Sequence, residues 1–105
     1  MKVIKDISND IECAIDHAED AAKKAILLKS DYPSAAQRYL NNSNIYLDIM
    51  KGLHDEIVTI INNYRKLKGD PPEPMQAIYN YLHERFIEKV AAIKNLQELY
   101  KEEKL

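Results

Sequence analysis

The side chains in this sequence that could hold a metal or move a proton are few and scattered. Three histidines, His17, His54 and His83, fall one in each third of the chain, and Cys13 stands four residues before the first. Imidazole and thiolate are common ligands of zinc and softer metals, and helical bundles build such sites from facing helices. Spacing is the test of that chemistry. Cys13 and His17, at i and i+4, put two ligands on one helical face, but no C-x-x-C or H-x-x-H pair supplies the rest. None of the histidines has a carboxylate three or four residues before it. A metal site using His17, His54, His83 and Cys13 is therefore the sharper expectation, and a plainer one is preferred. In the plainer one, the histidines sit at the edge of a core with their polar tips near water, and Cys13 is a buried or half-buried free thiol.

Other chemistries find less support. The only glycines are Gly52 and Gly69, so no glycine-rich loop can cradle a phosphate. Ser8, Ser30, Ser34 and Ser43 have no histidine and acid arranged around them, and no nucleophilic triad is read. Glu12, Asp16, Glu19 and Asp20 form a ridge opposite the apolar seam of their segment and are expected to face water. Seven tyrosines against one phenylalanine and no tryptophan are expected at the margins of the core, where each phenol finds a partner. Fifteen basic and 17 acidic residues leave a net charge of −2, with no basic patch to attract nucleic acid or anionic lipid. A single cysteine excludes an internal disulfide. The N-terminal residues lack the apolar run of a signal peptide, and no stretch reaches the ~18 apolar residues of a membrane span. The expected location is the cytoplasm.

The elements that must position these residues are helices. From about Val3 to Lys29, apolar residues fall at Ile4, Ile7, Ile11, Ala14, Ala18, Ala21, Ala25 and Leu28, alternating three- and four-residue steps, with Ile15, Ala22 and Ile26 on one flank. The alanines in mid-seam let a neighbouring helix come close. Acids gather at the start of the segment and lysines at its end, matching the helix dipole. Pro33 breaks the pattern; Ser34 with Gln37 has the spacing of a capping box, and Asp31 is a rival cap. The second helix then runs to about Lys68, with Tyr39, Ser43, Tyr46, Met50, Leu53, Ile57, Ile60, Tyr64 and Leu67 on its face. Leu40, Leu47, His54 and Ile61 flank that face, and Gly69 stands at the C′ position. After Asp70-Pro71-Pro72-Glu73-Pro74, a third helix reaches about Glu102, lined by Met75, Ile78, Tyr79, Leu82, Phe86, Val90, Ile93, Leu96 and Tyr100. Short connections make sequential helices antiparallel. The expected fold is all-α, a single domain over residues 1–105 made of three long antiparallel helices.

Leu53-His54, Tyr64-Arg65, Gly69 with Pro71-Pro72, Met75, Ile78-Tyr79, Leu82-His83 and Lys94-Asn95-Leu96 resemble small uncharacterised proteins of bacterial genomes and prophages with a ferritin-like or rubrerythrin-like helical appearance. The resemblance covers about Ser43 to Tyr100. It implies ferritin-like helical packing and, in family members with a metal centre, two irons held by glutamates and Glu-x-x-His motifs. Here Tyr46 stands where Glu is wanted and Ile49 where His is wanted, and the chain has no other Glu-x-x-His and no fourth helix. The metal motif therefore reads as lost.

These readings converge on a non-enzymatic structural or protein-interaction bundle, of phage derivation on the resemblance, with no catalytic residue and no cofactor. The alternative is a metal-binding ferritin-like protein or oxidase using helix-borne histidines and acids. Expected partners are a second copy of the chain and an unspecified protein, not nucleic acid and not a membrane. Self-association is read from the second helix, where Ile45, Tyr46 and Ile49 extend the apolar surface past what one core face needs.

Overall fold

Each apolar stripe becomes one helix. The structure is a computed structural model that describes residues 4–102. It contains α1 (Ile4–Leu28), α2 (Pro33–Lys68) and α3 (Glu73–Glu102), and 92% of these residues are helical. Val3, where the apolar pattern begins, lies outside the described residues. The helices pack side by side into a rod of 57 × 22 × 17 Å. Cross-helix contacts give their directions. Ala18 and His17 of α1 meet Ser43 and Tyr46 of α2, while Asn44 and His54 of α2 meet Gln97 and His83 of α3, so sequential helices are antiparallel. Glu12 and Glu19 of α1 meet Arg85 and Lys89 of α3 in ascending order, so the first and third helices run parallel.

The helix ends follow from proline and glycine. Pro33 takes the first position of α2, where the amide hydrogen it lacks would have had no helical acceptor. The helix therefore starts before Ser34. The Ser34–Gln37 capping box does not form: Tyr32 is the N-cap and makes no side-chain cap hydrogen bond, and Gln37 donates to Asn41 instead. At the other end Gly69 adopts φ 87°, in the left-handed region that favours glycine, and its amide donates to the Arg65 carbonyl.

α1 buries its whole expected seam from Ile4 to Ala25 together with Ile15 and Ala22, whereas Leu28 and Ile26 are half-buried. On α2 the buried line is displaced from the expected face. It runs through Ala36, Leu40, Ser43, Leu47, Met50, Ile57 and Ile61, which joins the expected flank to the middle of the expected face. Tyr39, Tyr46, Leu53, Ile60 and Tyr64 are half-buried, and Leu67 near the hairpin is 82% exposed. The cause is the pair of neighbours: α1 and α3 contact α2 from two directions, and the line between them is deepest. α3 buries Leu82, Ile93 and Tyr100 and keeps the rest of its stripe half-covered.

Polar contacts set the register. Ser43, fully buried, donates to the Ala18 carbonyl at 2.9 Å, and Gln97 donates to Ser43 Oγ at 3.2 Å and to Asn44 at 2.9 Å. One hydroxyl thereby ties all three helices. Among the described residues no buried side-chain polar atom lacks a hydrogen-bond partner. The acidic ridge departs from expectation. Glu12 and Glu19 are not left to water: α3 covers their side, Arg85 Nε reaches Glu12 at 2.6 Å and Lys89 reaches Glu19 at 2.9 Å. The hydrogen bond from Lys89 holds the Glu19 carboxyl below its ordinary range. Asp16 and Asp20 are exposed as expected. No helix among the described residues is long and apolar enough to cross a membrane.

Candidate functional site

The three histidines separate into a pair and a single residue. His54 on the flank of α2 and His83 on α3 are both half-buried, and His54 Nε2 lies 2.9 Å from His83 Nδ1. Antiparallel packing of α2 and α3 brings them level. Aromatic rings hold the pair in place. Phe86, one turn beyond His83, stacks on His54 with centroids 4.2 Å apart, and Tyr79, one turn before, stacks on His83 at 5.8 Å. Four rings thus line the α2–α3 seam. Sequence reading placed each histidine at a core boundary but missed this ladder. The signal was present in the flank position of His54 and in the one-turn spacing of Tyr79, His83 and Phe86.

In the His54–His83 hydrogen bond one nitrogen carries the hydrogen and the other accepts it. A first additional proton leaves that bond intact, and a second removes the acceptor and sets two positive rings against each other. Burial pushes the His54 pKa down, charge on His83 pushes it the same way, and Asp55 acts in the opposite direction. The folded chain therefore binds a proton at His54 less readily than the unfolded chain, whose histidine has an ordinary value of about 6.5. The stability contributed is fully present above that value and is lost as pH falls through it toward the folded value. Denaturant midpoints measured at pH 7.5 and pH 5.5 are expected to show this loss. His54→Gln with His83→Asn keeps an amide donor and acceptor at the two nitrogen positions without a titrating ring, and should reduce the loss. An equal fall in both proteins would place its origin elsewhere.

His17 is exposed and stacks on Tyr46, with centroids 5.0 Å apart. Cys13 is exposed too, not buried or half-buried as the sequence reading expected, because it projects from α1 beside the apolar line that carries Ile11, Ala14 and Ile15. Cys13, His17, Tyr46, Ile49 and Leu53 line a groove of 290 Å³ between α1 and α2. His17 belongs to that groove and the His54–His83 pair to the α2–α3 seam, so the histidines do not converge. Among the described residues no three His, Cys, Asp or Glu side chains are placed to hold one metal ion.

Of the expected contact residues, Tyr46 and Ile49 line the same groove, and Ile45 stands one turn before Ile49 on α2. Ile45 is 55% exposed and Ile49 43% exposed, whereas Tyr46 is half-buried and turned onto His17. Tyr46 thus forms the floor of the patch and not its crest. No protein-family model, curated protein or solved structure matches the chain.

Proposed function

We propose that this chain is a protein-interaction bundle without a catalytic centre, and that it pairs with a second copy of itself through the outer face of α2. The observation that supports this reading most is the exposure of Ile45 and Ile49, one turn apart in the middle of the longest helix. Isolated exposed apolar residues are ordinary on a protein surface, but two on one stripe beside an apolar groove make a contiguous patch. Their own core does not explain them, since Leu47 and Met50 on the other side of α2 already fill it. As a relative of ferritin-like proteins the chain keeps a helical frame, with Tyr46 and Ile49 serving the surface where a metal protein would place Glu and His.

Sedimentation equilibrium between roughly 5 and 200 μM is expected to show a monomer–dimer equilibrium, since a contact this short falls at the low end of interface sizes. Ile49→Glu, which puts a charge into the patch, should shift the chain to monomer while leaving its far-UV circular dichroism unchanged. A 12.2 kDa species across the whole range would overturn self-association, and a dimer unaffected by Ile49→Glu would move the contact to another face.

A further inference from the structure

We propose that the two copies of α2 pair antiparallel about a two-fold axis at Leu47, so that Arg38 of each chain meets Glu56 of the other. The inference rests on the self-association read above and specifies its geometry. Arg38, Ile45, Ile49, Gly52 and Glu56 follow one another in steps of seven, four, three and four residues, which places them on a single stripe of the helix. All five are exposed, and Leu47, half a turn round, is buried. The stripe is nearly symmetric about Leu47: Ile45 and Ile49 stand two residues to either side, and Arg38 and Glu56 nine residues to either side.

That symmetry decides between the two ways of laying the stripe on its own copy. In a parallel pair Arg38 would face Arg38 and Glu56 would face Glu56, two repulsive contacts. In the antiparallel pair both contacts are attractive, and Ile45 of one copy packs on Ile49 of the other, as an isologous interface requires. The ends stay within side-chain reach only if the helices cross at a shallow angle near 20°.

Gly52 is the second observation. Glycine in mid-helix is destabilising, and here the backbone does not call for it, since the positive φ among the described residues is at Gly69. Nor does packing within the chain, because a β-carbon at Gly52 would meet nothing within 4 Å. A bare position beside Ile49 instead lets another helix approach closely, and in the antiparallel register Asn42 of the second copy arrives there. Asp48, exposed at the margin of the stripe near the axis, opposes its own copy and keeps the association weak.

Charge exchange read by sedimentation equilibrium tests the geometry. Arg38→Glu alone and Glu56→Arg alone should each weaken dimerisation about tenfold, and the double exchange should restore it to within about threefold. A second measurement uses disulfide trapping in a Cys13→Ala background. Ile45→Cys chains mixed with Ile49→Cys chains should crosslink faster than either chain with itself. A wild-type dimer indifferent to both single exchanges, or preferential self-crosslinking of Ile45→Cys, would overturn the antiparallel register while leaving self-association standing. A wild-type chain monomeric at 200 μM would overturn self-association itself, and this geometry with it.

Discussion

Ile57→Ala is expected to lower the free energy of unfolding by about 2–5 kcal/mol, the range for truncating a large aliphatic residue inside a close-packed core. Ile57 is 1% exposed and belongs to the main core with Ile7, Ile11, Met50, Ile61, Leu82 and Ile93. That core is built from all three helices, so the space left by the lost methyl and methylene groups is not closed by moving one element alone. The larger part of the range applies if the helices hold their spacing, the smaller if they collapse inward. Urea unfolding followed by circular dichroism at 222 nm gives the number. A change below about 0.5 kcal/mol, the size of an ordinary surface substitution, would show that α2 is rotated relative to its neighbours.

Ala18→Leu is expected to lower stability by about 1–3 kcal/mol through overpacking, with about 1 kcal/mol more if the Ser43 hydrogen bond is lost. Ala18 is fully buried, and the Ser43 hydroxyl lies 2.9 Å from its carbonyl. A four-carbon side chain at that point must either push α1 from α2 or adopt a strained rotamer. Displacement would break the Ser43 contact and with it the link through Gln97 to α3. Comparison with Ser43→Ala separates the two effects, because that variant removes the hydroxyl without adding volume and should lose about 1 kcal/mol. Thermal melts of wild type and the two variants give the comparison. An Ala18→Leu variant as stable as wild type would mean that α1 and α2 are not in close contact there.

The seam of α1 was legible from Ile4 to Ala25 because isoleucines and alanines repeat there at three- and four-residue steps, while its last member, Leu28, is only half-buried. α2 was legible as a helix but not in its orientation. Its apolar residues span two stripes, and only the presence of neighbours on both sides makes Leu40, Leu47 and Ile61 deeper than Tyr39, Leu53 and Leu67. The Ser34 cap failed for a local reason: Pro33 supplies a preset φ at the first helical position, and the helix needs no later start. Cys13 illustrates the limits of residue type, since a thiol that is usually buried stands exposed one position from the buried line.

By itself the sequence determined the number of helices, their approximate limits and their order of direction, because hydrophobic periodicity, proline and glycine act over a few residues. It also determined that Ile45 and Ile49 extend the apolar surface of α2. Only the tertiary structure decided which polar residues meet. Glu12 with Arg85, Ser43 with Gln97 and His54 with His83 are far apart in the chain. They join because helix rotation and crossing bring their tips within 3.2 Å or less. Local spacing carries no record of that rotation, since it is set by how all three apolar faces share one core.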